Sequence, residues 1–193
     1  MTPVLLPDHM VVIGASWGGV EASLQLLRAV PEGFPVPLLI VLHRNLDAHR
    51  AFERSLRRYC AVPVREVEDK EELRWPCVYI APANYHLLME DDGSFALCTS
   101  APVHYCRPAI DVTMQSMSTV LKERLIGVLL TGANEDGAQG LLAIRKAGGW
   151  TIVQDPDEAA APTMPRAAIA VGGADCILPL RDIMPGLREH LGV

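Results

Sequence analysis

Apolar residues along this chain fall into two alternating kinds of stretch. Short unbroken runs cover residues 10–13, 37–42, 78–81 and 126–130, each stopping at a glycine, a proline or a polar residue, and 150–153 is broken only by Thr151. Runs of that length, apolar at every position, suit parallel strands covered on both faces. Between them the apolar positions recur at helical spacing, as in Val20, Leu24 and Leu27, or Phe52, Leu56 and Tyr59. Alternation of the two predicts an α/β fold, a doubly wound and mainly parallel sheet with helices on both faces.

Taken in order, the pattern predicts strands at 11–14, 37–42, 62–66, 78–81, 126–131, 150–153 and 176–178. Helices are expected at 20–30, 48–60, 109–124, 138–147, 166–170 and 180–191, with Pro108 as a first helical residue and Gly148-Gly149 as a cap. Residues 86–90 and 95–98 around Asp92-Gly93 read as a hairpin. The charged stretch 68–74 reads as a solvated turn, and 154–165 as a loop with a helical turn near 157–161. No repeat, low-complexity segment or linker divides the chain, so one domain is expected over 1–193.

Composition narrows the class. Half of the 193 residues are hydrophobic but only 5% are aromatic, so the core is aliphatic. The net charge of −6 argues against a nucleic-acid binder, which carries a basic patch, and is equally what simple solubility needs. Five scattered cysteines with no Cys-x-x-Cys pair fit reduced thiols in a cytoplasmic protein. Residues 1–8 lack the features of a signal peptide, and no apolar run approaches the ~20 residues of a membrane span.

The candidate chemistry sits where strands end. Gly14-x-Ser16-x-Gly18 follows the first strand with the spacing of a nucleophile elbow, His43 follows the second, and Asp136 follows the strand at 126–131. Carboxyl ends of parallel strands share one edge, where ligands bind, so these distant residues can meet. A serine hydroxyl needs a base, a neutral imidazole is one near pH 7, and a carboxylate fixes the imidazole's tautomer. The backbone N–H groups of Trp17 and Ala133 are the expected oxyanion donors. Each residue also has a plainer reading: the glycine turn as a phosphate cradle, His43 as structural, Asp136 as a helix cap.

Arg107 either binds a substrate carboxylate or holds a loop, with Asp111 as its expected ion-pair partner. His9 and His49 read as surface residues. His86 and His104 are candidates only if the hairpin folds over the cleft. No close ligand spacing suggests a metal, and no cofactor is expected.

Several stretches together resemble the catalytic domain of the chemotaxis protein-glutamate methylesterases, the CheB family. They are Ile13-Gly14-Ala15-Ser16, Val41-Leu42-His43, Val78-Tyr79-Ile80-Ala81-Pro82 and Tyr85-His86-Leu87-Leu88. Arg107-Pro108-Ala109-Ile110-Asp111-Val112, Leu129-Leu130-Thr131-Gly132, Asp136-Gly137-Ala138, Gln154-Asp155 and residues 164–169 follow in the family's order. The resemblance implies a parallel sheet with an antiparallel hairpin at one edge. It implies hydrolysis of glutamate methyl esters, and deamidation of glutamines, on chemoreceptor signalling helices. It places the nucleophile on Ser16, the base on His43 and the orienting acid on Asp136. The order Ser, His, Asp also differs from that of α/β-hydrolases.

This chain departs from the family at Trp17, where threonine is usual, at Ala133-Asn134, where Met-Gly is usual, and at Arg44-Asn45, where the second position is commonly proline. The family's receiver domain is not seen ahead of the first strand, so a separate response regulator or other signalling protein is an expected partner. Two other classes remain. A nucleotide-binding module expects an acidic residue where His43 stands, and a Gly-Lys-Ser/Thr run that is missing. A catalytically silent relative would act by docking alone.

Overall fold

The computed structural model describes residues 6–43 and 46–193, with only the backbone described for 46–51. The expectations for residues 1–5, Arg44, Asn45 and the side chain of His49 therefore lie outside the described residues.

Seven strands form one parallel sheet: β1 (Met10–Ala15), β2 (Leu38–Leu42), β3 (Val64–Glu66), β4 (Val78–Ile80), β7 (Leu125–Leu129), β8 (Trp150–Gln154) and β9 (Cys176–Leu178). Their order is β3-β4-β2-β1-β7-β8-β9. Every pairing is parallel, with Ile13 between Ile40 and Val128 at the centre. From β1 the chain builds β2, β3 and β4 on one side, with β3 at the edge and β4 between it and β2, and then β7, β8 and β9 on the other. The switch point, where such sheets open a crevice, lies at the carboxyl end of β1. Ser16, His43 and Asp136 follow β1, β2 and β7, which are the three adjacent central strands.

Side chains along β1 alternate between two cores. Val11, Ile13 and Ala15 pack with α1 (Gly19–Arg28), α2 (Leu46–Tyr59) and α6 (Leu180–Leu191). Met10 and Val12 pack with α3 (Ile110–Leu121), α4 (Ala138–Lys146) and α5 (Thr163–Ala170). The doubly wound fold is thus as expected. β5 (His86–Met89) and β6 (Phe95–Cys98) form the hairpin as a two-stranded antiparallel sheet, which packs on α3.

Some boundaries move for local reasons. The first helix begins at Gly19 and ends at Arg28, so Val20 lies in its first turn and is 41% exposed, outside the buried face of Ala22, Leu26 and Leu27. Tyr59 ends α2 on the surface, where the guanidinium of Arg28 covers its ring at 4.3 Å. Pro108 precedes the helix instead of opening it, because Ala109 is the extended cap residue. The stretch 68–74 is more than a solvated turn. Lys70 N–H donates to the Phe95 carbonyl, Phe95 N–H donates to the Glu71 carbonyl, and Leu73 is buried.

One packing detail positions the site. Ile110, at the start of α3, seats in a notch between Gly14 at the end of β1 and Gly137 ahead of α4. A Cβ on Gly14 would lie 2.5 Å from Ile110 Cγ2 and 2.9 Å from Leu129 Cδ1. Gly14→Ala is expected to overpack this notch and cost about 1–3 kcal/mol of stability. Urea denaturation of the two proteins checks it, and an unchanged midpoint would show that the notch has room.

Candidate active site

The loop after β1 is built around Ser16. Its N–H donates to the Thr131 carbonyl at 2.9 Å, which ties it to the chain leaving β7. Its carbonyl accepts the Gly19 N–H at 2.7 Å. Gly18 has φ 75°, and a Cβ there would meet Ala160 Cβ at 2.7 Å, so glycine is required on both counts. This tight turn raises the half-buried Ser16 hydroxyl at the edge of the sheet.

His43 leaves β2 with its N–H on the Ala15 carbonyl, at 3.2 Å. The Ser16 hydroxyl lies 3.1 Å from His43 Nδ1, and His43 Nε2 lies 2.7 Å from Asp136 Oδ2. The carboxylate selects the tautomer: Nε2 carries the hydrogen and donates it, leaving the Nδ1 lone pair facing the Ser16 hydroxyl. The three residues are therefore brought together in one hydrogen-bonded chain.

Asp136 is fully buried. Its Oδ2 also accepts the Ile110 N–H at 2.7 Å, and its Oδ1 accepts the Asp111 N–H at 2.9 Å. It does serve as a helix cap, but of α3 rather than of the helix that follows it. Burial alone pushes its pKa up. The His43 bond and the two N–H bonds outweigh burial and hold the carboxyl below the ordinary 3.8. Asp136 is therefore an ionised acceptor at neutral pH.

The peptide units at the two expected oxyanion donors are pinned from behind. The Ser16 carbonyl is held by Gly19, and the Gly132 carbonyl accepts the Met164 N–H at 2.9 Å. In a trans peptide the N–H points opposite to the carbonyl. The Trp17 and Ala133 N–H groups thus point away from these anchors, and among the described residues neither has an acceptor. The Thr131 hydroxyl donates to the Trp17 carbonyl at 2.9 Å and accepts the Ala161 N–H at 2.8 Å, stiffening the turn. The Thr131 N–H in turn donates to Gln154 Oε1 at 2.9 Å, a buried support that strand periodicity alone does not distinguish. The Trp17 side chain is 71% exposed beside Ser16.

Arg107 holds loops. Its guanidinium donates to the carbonyls of Thr99 and Ser100 and to Asn84 Oδ1. The expected ion pair with Asp111 does not form, because Asp111 Oδ1 is occupied by the N–H groups of Gly137 (2.9 Å) and Gly140 (2.7 Å). His86 is fully buried and structural, with Nδ1 accepting the Ala109 N–H and Nε2 donating to the Ala101 carbonyl. His9 is half-buried and stands edge-on to His190. His104 lies beside the site, 3.7 Å from Asp111 Oδ2.

His104, Asp111 and Asp136 each present one potential ligand atom within 4.8 Å of the others. The two carboxylates already accept four backbone N–H groups and the His43 ring. All five cysteines are free thiols, and burial pushes Cys60 and Cys77 up to about 11, so neither is a thiolate at neutral pH. No described helix is long and apolar enough to cross a membrane.

The chain is similar to known proteins in sequence and in fold. A protein of Leptospira interrogans is 43% identical over 173 residues, 90% of each chain. The protein-glutamate methylesterase/protein-glutamine glutaminase of Symbiobacterium thermophilum is 39% identical over 187 residues, 97% of this chain but 52% of the longer relative. The crystal structure of the Thermotoga maritima CheB methylesterase catalytic domain superimposes with a TM-score of 0.91 at 32% identity, covering 96% of this chain and 99% of that one. The family model described as CheB methylesterase matches residues 11–187, nearly all of the sheet and every strand-end residue above, and the chain belongs to that family.

Proposed function

We propose that this chain hydrolyses methyl esters of protein glutamates, and deamidates glutamines, on the cytoplasmic signalling helices of chemoreceptors, with Ser16 as nucleophile. The supporting observation is the continuous hydrogen-bonded chain Ser16–His43–Asp136 at the switch point of the sheet. Similarity to named methylesterase/glutaminases supports the substrate class.

His43 Nδ1 takes the Ser16 proton as the hydroxyl oxygen attacks the ester carbonyl. Asp136 steadies the imidazolium that forms. The tetrahedral oxyanion is received by the Trp17 N–H and by the Ala133 N–H across the mouth, two donors already turned outward. The imidazolium returns its proton to the departing methoxide, and methanol leaves. Water, activated by the same imidazole, then releases the glutamate and restores Ser16. An amide nitrogen in place of methoxide takes the proton in the same way and leaves as ammonia. Arg107 acts on substrate only indirectly, by holding the loops at 84 and 99–100.

Docking without catalysis needs neither the tautomer lock nor the outward N–H groups, and a nucleotide-binding module would place an acidic residue at the end of β2, where His43 stands bonded to Ser16 and Asp136. Methanol release from methylated receptor cytoplasmic domains tests the proposal. Wild-type protein is expected to release methanol in proportion to the methyl groups present. A rate no higher than the uncatalysed background would end it.

A further inference from the structure

Asp111 and Asp136 are linked twice. Each carboxylate accepts backbone N–H groups at the start of the other's helix. Asp136, just ahead of α4, takes the Ile110 and Asp111 N–H groups of α3. Asp111, in the first turn of α3, takes the Gly137 and Gly140 N–H groups of α4. The Gly137 N–H belongs to the peptide unit that joins it to Asp136, so Asp111 grips the backbone directly after the triad carboxylate.

Ile110 and Leu129 pack against Gly137, and within the turn the Ala138 N–H reaches the Glu135 carbonyl at 3.2 Å. The Asp136 N–H reaches Asn134 Oδ1 at 3.3 Å, a longer contact than either Asp111 bond. Gly137 sits at φ 95°, where only glycine is at ease, and the residue on each side of it depends on its orientation. Both N–H groups held by Asp111 belong to buried residues, where a lost acceptor is not replaced by water. Asp111 is itself buried among charges. Asp136 lies beside it, His104 Nε2 is 3.7 Å from its Oδ2, and Glu135 lies beyond that ring. Burial, with Asp136 adding to it, raises its pKa. The fold keeps a carboxyl there against that penalty.

We propose that Asp111 is a positioning residue: through Gly137 and Gly140 it sets where the Asp136 carboxylate stands, and hence how His43 faces Ser16. The proposal rests on reading Ser16–His43–Asp136 as the reactive chain. It requires an acceptor at Oδ1, and it does not require the charge. Misplacement by an ångström at a reacting centre costs roughly 10²-fold in rate.

The test is the rate at which a small serine-directed phosphonate labels Ser16, a readout independent of the protein substrate. All proteins are compared at temperatures where circular dichroism shows them folded. Asp111→Ala is expected to label roughly 10²-fold more slowly than wild type. Asp111→Asn keeps an oxygen for both N–H groups and is expected to label at least about tenfold faster than Asp111→Ala. Asp111→Glu keeps the charge but shifts the acceptor, and is expected to be as slow as Asp111→Ala. It stands in for the alanine variant should that one fail to fold. Wild-type rates in Asp111→Ala or Asp111→Glu overturn the proposal, as does an Asp111→Asn protein as slow as they are. An unlabelled wild type instead removes the reading of the site, and this proposal with it.

Discussion

Ser16→Ala is expected to reduce methanol release from methylated receptor domains by at least about 10⁴-fold while leaving the protein folded. The catalytic loss is large because the oxygen that would bond to the acyl carbon is gone, and knocking out such a nucleophile elsewhere costs about 10⁶ in kcat. The structural loss is small. Among the described residues the Ser16 hydroxyl has His43 Nδ1 as its partner, and the backbone bonds of Ser16 to Thr131 and Gly19 survive in alanine. A neutral hydrogen bond contributes about 1 kcal/mol. Methanol release and circular dichroism on the same sample separate the two effects. Retained turnover would move the nucleophile elsewhere.

Asp136→Asn is expected to slow the reaction about 10⁴-fold by a different route. The asparagine amide would donate where the carboxylate accepts. His43 would then have to accept at Nε2 and carry its hydrogen on Nδ1, facing Ser16 with a donor instead of a lone pair. This variant is also expected to be less stable. One side-chain oxygen cannot serve the Ile110 and Asp111 N–H groups as two carboxylate oxygens do, and an unsatisfied buried donor costs about 1–3 kcal/mol. The sign of the pH dependence follows from the direction of the shift. The folded pKa of Asp136 lies below its ordinary 3.8, so its ionised form contributes stability above that value. The contribution is lost as pH falls through the folded pKa. The stability gap between wild type and Asp136→Asn, read from urea midpoints, should be full at pH 7 and close below the ordinary pKa. A gap that persists under acid would assign the loss to packing.

Much of this site was legible in the sequence because Ser16 and His43 directly follow buried apolar strands and Asp136 lies in the turn after a third. A parallel sheet collects such ends on one edge whatever the intervening loops do. Strand ends, the Gly-x-Ser-x-Gly spacing and the resemblance to the CheB family together pointed to Ser16, His43 and Asp136. Arg107 shows where that logic stops. Its partners Asn84, Thr99 and Ser100 come from loops around the hairpin, and nothing in local spacing shows that they converge. The partners of Asp111 escape local spacing for a related reason. The i, i+4 rule pairs charges along one helix, whereas this carboxylate faces backward across the helix start to a different helix. Its signal was present in the glycines at 137 and 140, which let α4 approach α3 closely. A Cβ on Gly140 would lie 2.6 Å from Met114 Cβ. Val20 and Tyr59 have helical spacing but sit in terminal turns, where the apolar stripe runs past the edge of the core.

The most direct test is tandem mass spectrometry of the protein after reaction with a serine-directed phosphonate. One adduct on the peptide containing Ser16 is expected, absent when His43 is replaced by alanine. No adduct, an adduct on another serine, or equal labelling of Ser16 in His43→Ala would contradict the Ser16–His43–Asp136 relay.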